Sequence, residues 1–327
     1  MLRKNDEVMV CGIRQLTPRV REYLLSTLNG QPLPAAPPGS HIELHTSSPL
    51  DGPLVRHYSL IGGIGSWDDH PNNYRIAVQR EDRARGSAYI HDSFAIGTRL
   101  QISAPKNNFQ LDRRDRKSLL IAGGIGVTPI LSMLRSLARR GREYEVFYAG
   151  RSLTEMAYRQ DIQRLAGTRA TLHVSDSNGT NRPDLHTLLS SQPDGTTVYV
   201  CGPAAMVSAT QQTAAALKWD PRRVRSELFS AGPTGAEVAF EVVLKRSDRR
   251  IHVGRDTSIL DALIAAGVAP LSDCRRGECG LCPLTVLAAD GPLQHRDRYL
   301  SAQEQAAGDT LCICVSRLQG STLILDA

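Results

Sequence analysis

No apolar run in this chain is both long and unbroken enough to cross a bilayer. The best one, Leu119 to Leu134, is interrupted by Gly123, Gly124, Gly126 and Pro129. The opening MLRKNDEVMV is charged and has no apolar signal core, so the expectation is a cytoplasmic protein without membrane attachment. Aromatic residues are only 5% of the chain, and Lys and Arg are scattered without a basic helix or a stacking motif. The formal net charge of +6 therefore does not point to nucleic acid. The nine histidines form no H-x3-H or HExxH pattern, and His295, in the turn His295-Arg-Asp297, reads as structural. Neither a 2-His-1-carboxylate set nor a Rieske Cys-His pair can be assigned, which excludes an oxygen-activating centre of those kinds. Cysteine is sparse as well. Five of the seven cysteines fall between 274 and 314, a clustering that suits metal chemistry in a reducing compartment better than a disulfide framework.

That cluster is the most informative stretch present. Cys274-Arg-Arg-Gly-Glu-Cys279-Gly-Leu-Cys282 has C-x4-C-x2-C spacing, with Cys312 and Cys314 further on. Three thiolates at this spacing and a distant fourth match the ligands of a plant-type [2Fe–2S] cluster. Zinc sites usually use two short-spaced pairs, and only one is present, so a zinc ribbon is the lesser alternative. Gly277 and Gly280 stand where such a loop needs close backbone approach or positive φ. Residues two apart on a strand share a face, so periodicity does not choose between Cys312 and Cys314.

The 327 residues suffice for two or three domains. Residues 7–103 read as short alternating strands, with one helical piece at Gly86–Phe94, and predict an all-β barrel or sandwich. A charged, linker-like stretch, Asp112 to Lys117, precedes alternating strands and helices, which predict a parallel sheet covered on both faces. Its second helix is expected at Thr154–Leu165. A Gly/Pro hinge, Ser230 to Ala236, leads to a last module with strands, one helix and the cysteine loop, including a strand at Thr310–Val315. The boundaries expected are 1–111, 112–230, a linker at 231–236, and 237–327. Residues 235–327 carry ten Lys/Arg against twelve Asp/Glu, and the remainder twenty-nine against twenty-one. An acidic module could thus dock on a basic body, although ordinary surface variation gives the same count.

Gly123-Gly-Ile-Gly126-Val-Thr-Pro129 follows a strand and opens a helix, where free N–H groups and the helix dipole bind a pyrophosphate. It is not the Rossmann G-x-G-x-x-G, because Pro129 takes the place of the third glycine. Cys201-Gly-Pro203 ends a second strand, and two such turns place a ligand at the carboxyl edge of the sheet. In the barrel, Arg56-His57-Tyr58-Ser59 offers a cation, an aromatic face and a hydroxyl. Strand alternation sets Arg56 and Tyr58 opposite His57 and Ser59, so both sets touch one ligand only on a bent or edge strand. Gly86-Ser87 adds an anion site at a helix start.

In this order, Arg56-His-Tyr-Ser59-Leu, Gly86-Ser87, Gly124-Ile-Gly126-Val-Thr-Pro129, Cys201-Gly-Pro203 and Cys274-x4-Cys279-x2-Cys282 resemble the phthalate dioxygenase reductase family, over essentially the whole chain. Vanillate demethylase reductases share that architecture. The resemblance implies an antiparallel flavin-binding β-barrel, a parallel α/β nucleotide-binding domain of ferredoxin–NADP reductase type, and a C-terminal β-grasp [2Fe–2S] ferredoxin. It implies FMN on the barrel, with Arg56, Gly86 and Ser87 at the phosphate, Tyr58 on the isoalloxazine and Ser59 near N5. His57 and Val78 belong to the same set. Thr128 and Cys201 would line the nicotinamide pocket, with Gly124, Gly126, Pro129, Gly202, Pro203 and Met206 around the dinucleotide. Glu227-Leu-Phe229 would end the nucleotide domain, its aromatic residue over the flavin. Ser59, Thr128, Cys201 and Phe229 would be the residues at the reacting atoms. Cys274, Cys279, Cys282 and, by its Cys314-Val-Ser-Arg317 context, Cys314 would hold the cluster. Cys312 and Cys11 would then be small core residues. Arg275 and Arg276 flank the cluster loop, where positive charge favours its reduced form and an acidic acceptor surface. Arg151 stands where the adenosine ribose would lie, which suits a 2′-phosphate or adenine stacking, while the family habit leans to NADH, with NADPH the alternative.

Hydride transfer from nicotinamide to flavin needs positioning rather than a protein nucleophile. The expectation is the reductase of a two-component Rieske-type aromatic-ring oxygenase or demethylase, a monomer partnered by a separate oxygenase chain. A free-standing NAD(P)H flavin reductase or diaphorase is the alternative enzyme. A zinc-holding, non-catalytic protein is the alternative without chemistry.

Overall fold

The computed structural model describes residues 6–48, 52–62, 73–81, 85–175, 181–229, 238–255, 257–272, 277, 280–297 and 299–327. By its internal contacts the chain divides into two compact units, 1–228 and 229–327.

The first unit begins with strands β1 (Asp6–Thr17), β2 (Val20–Thr27), β3 (His41–Ser48), β4 (Gly52–Ser59) and β5 (Asn73–Gln79), then helix α1 (Arg85–Ser93) and strand β6 (Arg99–Ile102). They form an antiparallel sheet in the order β4-β3-β6-β1-β2-β5. Just beyond β4, the Ile61 N–H donates to Arg75 O on β5 at 2.9 Å, which curls the two edges of the sheet toward each other. Alternate residues Val8, Val10, Tyr23, Leu25, Ile42, Leu44, Ile76 and Val78 fill one core, with Ile90 and Phe94 from α1 and its end. The period of two in the sequence thus becomes the inside of a barrel.

The same unit continues with β7 (Lys117–Gly123), α2 (Val127–Arg139), β8 (Glu143–Gly150), α3 (Arg159–Ala166), β9 (Ala170–Val174), α4 (Leu185–Ser190), β10 (Thr196–Cys201), α5 (Ala204–Ala216) and β11 (Val224–Glu227). All pairings in its sheet, ordered β11-β10-β7-β8-β9, are parallel. Strand β10 is buried along its whole length, as a central parallel strand must be. Asp112 and Asp115 in the stretch read as a linker are pinned. The Asp112 N–H donates to the Tyr199 hydroxyl, and Thr197 donates to Asp115 at 2.8 Å.

Helix α3 starts at Arg159, five residues later than expected. Ser152 ties its carbonyl and hydroxyl to the Glu155 N–H, making a turn instead of a helix. Tyr158 then stands at φ 58°, a left-handed conformation that no helix interior tolerates.

The second unit holds β12 (Phe240–Leu244), β13 (Arg249–Val253), α6 (Ile259–Ala265), β14 (Pro283–Ala289), β15 (Leu293–Gln294), α7 (Ala302–Ala307), β16 (Thr310–Cys312), β17 (Arg317–Leu318) and β18 (Thr322–Leu325). Its mixed sheet runs β13-β12-β18-β14-β16, with α6 supplying Ile259, Leu260 and Leu263 to the core, the arrangement of a β-grasp. Ser258 caps α6 by accepting the Asp261 N–H at 3.0 Å. Ser301 and Glu304 form a capping box on α7. Arg317 is 4% exposed. Its guanidinium donates to the carbonyls of Thr257, Val238 and Gly254 and lies over the Phe240 ring.

No helix among the described residues is long and apolar enough to cross a membrane.

Candidate functional site

On the barrel, cross-strand register decides which side chains can meet. Arg56 lies opposite Leu44 and Tyr58 opposite Ile42, both core residues, so Arg56 and Tyr58 take the barrel's inner face. His57 lies opposite Glu43 and Ser59 opposite His41, on the other face. Strand β4 is at the end of the sheet order, which is the edge position the sequence required for both faces to reach one ligand.

The inner-face pair fits an anionic, planar ligand. The Arg56 guanidinium lies directly over Gly86 in the first turn of α1, and a Cβ at 86 would sit 2.7 Å from Arg56 Nε. A cation and the N-terminal turn of a helix therefore converge where only glycine leaves room. The Ser87 hydroxyl is engaged, accepting the Glu81 N–H at 3.0 Å. Tyr58 is half-buried against the core, and burial raises its hydroxyl pKa above the ordinary tyrosine range. Val78 is buried on β5, its carbonyl 2.9 Å from His91 Nε2.

On the outer face, the His57 ring packs against that of His41 at 5.4 Å and stands 3.9 Å from Glu43 Oε1. Lys106 holds the same carboxylate at 3.0 Å. This side chain belongs to a histidine–carboxylate group that sequence spacing did not reveal, because its members come from three chain segments. Ser59 differs from its neighbours. It is 4% exposed and its hydroxyl has no hydrogen-bond partner. A buried orphan hydroxyl is unfavourable alone and fits a site whose partner is a bound ligand. Ser59→Ala is therefore expected to stabilise the ligand-free protein by about 1 kcal/mol, read by denaturant melting. If the hydroxyl serves a flavin, the same change slows flavin reduction by about tenfold or more.

In the α/β sheet, the two turns meet backbone to backbone. A Cβ at Gly126 would lie 2.3 Å from Cys201 O, and one at Gly202 would lie 3.0 Å from the Gly123 Cα. Pro203 and Met206 close over Gly123, where a Cβ would reach Pro203 Cδ at 2.7 Å. Residues Gly124–Gly126 form one 3-10 turn that runs into α2, with Pro129 in the helix's first turn. The Thr128 hydroxyl donates back to Ile125 O at 3.1 Å, fixing that turn. Cys201 is buried and paired in register with Glu227, whose carboxylate is also buried. Arg151 is exposed just past β8. Phe229 is partly buried at the start of the second unit.

In the second unit, Cys274, Arg275, Arg276 and Cys279 lie outside the described residues, as does the 230–236 hinge. Cys282 and Cys314 are brought together, sulfur to sulfur, at 3.1 Å. Strand β16 stops at Cys312 and the chain turns through 313–315, so Cys312 and Cys314 do not occupy one strand face as the longer expected strand implied. The Ile313 N–H donates to Cys282 O, and Ser316 N–H returns to Cys312 O, which closes that turn. Hydrogen bonding with Cys312, then Cys314, lowers the pKa of the Cys282 thiol below the ordinary range. Both expected glycines have positive φ, 72° at Gly277 and 70° at Gly280. A Cβ at Gly277 would meet Asp297 Cα at 2.7 Å, and one at Gly280 would meet the Tyr299 ring at 2.1 Å. Asp297 is itself buried, accepting the Leu300 N–H at 2.9 Å and the Ser316 hydroxyl at 3.2 Å. His295 stands 3.6 Å from it, in keeping with a structural role.

Residues 100–224 match the model for the N-terminal domain of dimethylamine monooxygenase subunit DmmA-like proteins, and residues 242–319 match the 2Fe-2S iron-sulfur cluster binding domain. The chain is 40% identical over 321 residues to the heme-dependent oxidative N-demethylase beta subunit of Ectopseudomonas mendocina, covering 98% of each. It is 38% identical over 322 residues to a putative toluene-4-sulfonate monooxygenase system reductase subunit of Comamonas testosteroni, again 98% of each. The solved structure of phthalate dioxygenase reductase superposes with a TM-score of 0.82 at 29% identity, over 99% of this chain and 98% of that one. Relatives similar from end to end, with the same barrel, nucleotide fold and ferredoxin module, place this chain in the phthalate dioxygenase reductase family of oxygenase reductase components.

Proposed function

We propose that this chain takes a hydride from NADH onto FMN and passes single electrons through a [2Fe–2S] cluster to a separate oxygenase. The proposed division of labour is a flavin barrel at 1–111, a nucleotide domain at 112–230, a linker at 231–236 and a ferredoxin at 237–327. The carrying observation is the backbone contact of Gly126 on Cys201 at the carboxyl edge of the parallel sheet. When bound, flavin supplies two-electron acceptance with one-electron release, and the cluster supplies one-electron carriage.

The chain's own residues do the rest. Arg56 and the first turn of α1 bind a phosphate, and Tyr58 presents an aromatic face from the barrel wall. The Ser59 hydroxyl donates a hydrogen bond toward the flavin's reacting edge. Gly124, Gly126 and the N-terminus of α2 bind a pyrophosphate, with Thr128 and Cys201 beside the nicotinamide. Cys274, Cys279, Cys282 and Cys314 are the proposed cluster ligands. Met206, Pro203, Glu227 and Phe229 serve to exclude water around the transfer site, and Arg151 reaches the adenosine end.

The acceptor is first proposed to be a Rieske-type oxygenase, served by a monomeric, cytoplasmic reductase. A haem oxygenase is the second reading, favoured by the heme-dependent N-demethylase relative. Purified reductase mixed with each class of oxygenase, with product formation followed under NADH, separates the two. Cys279→Ser tests the electron outlet. It should abolish oxygenase-coupled turnover while ferricyanide reduction, fed from the flavin, persists. Survival of both activities would show that the cluster is not the outlet and would favour a free-standing flavin reductase.

A further inference from the structure

Glu22 is an anomaly of the barrel. Its neighbours Tyr23 and Leu25 point into the core, so strand alternation sets Glu22 on the outer face, where a carboxylate ordinarily meets water. Yet Glu22 is 8% exposed. What covers it is Tyr158 of the α/β domain, whose hydroxyl donates to Glu22 Oε2 at 2.7 Å across 136 residues of chain.

Tyr158 is itself strained. A bulky aromatic residue at φ 58° persists only where its surroundings over-determine it. Burial, then the Glu22 carboxylate, raises its hydroxyl pKa well above the ordinary range, so it remains a donor. Charge balance does not require the bond. Arg14 already pairs with Glu22 at 3.1 Å, and Arg75 stands at 3.6 Å.

The bond continues into the nucleotide turn. Tyr148 shares its hydroxyl between Ala157 O at 3.1 Å and Gly124 O at 3.3 Å. Met156 packs so closely on Gly150 that a Cβ there would lie 2.4 Å from its Cγ. Residues 151–158, the segment that follows β8 toward the adenosine end, are therefore fastened at Tyr158 to the barrel, at Ala157 through Tyr148 to the glycine turn, and at Met156 to the end of β8. A second tie crosses the same two domains, from the Ser132 hydroxyl to Gly62 O at 2.6 Å. Two separated ties fix rotation as well as distance.

We propose that Tyr158 and Glu22 form a positioning latch, which holds the 151–158 segment and the Gly124 turn in register with the flavin barrel, so that a bound dinucleotide presents its nicotinamide correctly. This rests on the oxidoreductase reading above. Tyr158 is a positioning residue and touches neither cofactor in this scheme. Small misplacements of reacting groups are enough to lower transfer rates by an order of magnitude or more.

Tyr158→Phe keeps the ring and deletes the bond. In the holoprotein, stopped-flow flavin reduction at saturating NADH should fall by about five- to tenfold, while the NADH dissociation constant and chemical reduction by dithionite stay unchanged. Amide hydrogen exchange across 151–158 should quicken, with β1 and β2 unaffected. Glu22→Gln retains an acceptor oxygen and should keep most of the wild-type rate, whereas Glu22→Ala should match Tyr158→Phe. A Tyr158→Phe protein with the wild-type rate and unchanged exchange would overturn the latch. So would a loss in Glu22→Gln equal to that in Glu22→Ala, which would assign the effect to charge. The wild-type reaction with NADH tests the oxidoreductase reading, and the variant-to-wild-type ratio and the exchange pattern test the latch.

Discussion

Cys314→Ser is expected to strip the purified protein of its iron–sulfur absorbance, while Cys312→Ser leaves most of it. The reason is local geometry. Cys312 is the last residue of β16, paired with Pro283 and fully buried in the ferredoxin core. Cys314 sits beyond the strand in the turn, with its sulfur 3.1 Å from that of Cys282, itself a proposed ligand. The Cys312 thiol also hydrogen-bonds Cys282, but strand pairing holds it in place, whereas the turn lets Cys314 reorient toward a cluster. Cys312→Ser instead exchanges a small buried thiol for a hydroxyl and should destabilise the module by about 1–3 kcal/mol. Visible absorbance and iron content of the two variants, purified without oxygen, decide the matter. Equal loss of iron in both, or loss only in Cys312→Ser, would remove Cys314 from the ligand set.

Gly126→Ala should have the next largest effect. Its Cβ would stand 2.3 Å from Cys201 O and 2.5 Å from Cys201 C, and neither backbone atom can rotate away. The two turns must separate, at a stability cost of about 1–3 kcal/mol. Separation also moves the start of α2, with Thr128 and the proposed pyrophosphate site, relative to Cys201. Flavin reduction by NADH should therefore fall by about 10²-fold, with flavin and cluster content retained. Gly124→Ala is the instructive comparison. No atom lies within 4 Å of a Cβ there, but φ is +54°, so the penalty is backbone strain without collision. A Gly126→Ala protein that reduces its flavin normally would show that the two turns do not need their close contact.

Most of the fold was legible because the hydrophobic period changes twice along the chain, from two to a helical repeat and back. The barrel strands, the alternating α/β elements and the terminal strands follow those changes closely. Helix α3 was misplaced because Ser152 closes a turn and Tyr158 leaves helical space, its hydroxyl held by Glu22 on a barrel strand 136 residues away. Strand β16 was drawn too long because Ile313 and Val315 are good strand formers, and only the turn bonds to Cys312 reveal the stop. Strand β11 was overlooked because Val-Arg-Ser-Glu carries no apolar alternation and pairs only through its register with β10. The glycines were the most readable site residues, since each marks either a spot where backbone or side chain leaves no room or, at Gly124, a positive φ. His57 was the least readable, because its neighbours Glu43 and His41 are placed by strand pairing alone.

Arg317 bears on the order of assembly. Its guanidinium gathers three carbonyls from the start of the module and from the turn before α6, far in sequence from the cysteine loop. The β-grasp core of Val242, Leu263, Leu311 and Leu323 is likewise built from paired strands and α6. A module tied this way is expected to keep its scaffold before iron arrives, with the cysteine loop loaded as a late fitting onto that frame. Iron starvation would then leave an intact, colour-poor reductase ready for repair, instead of an unfolded chain marked for proteolysis.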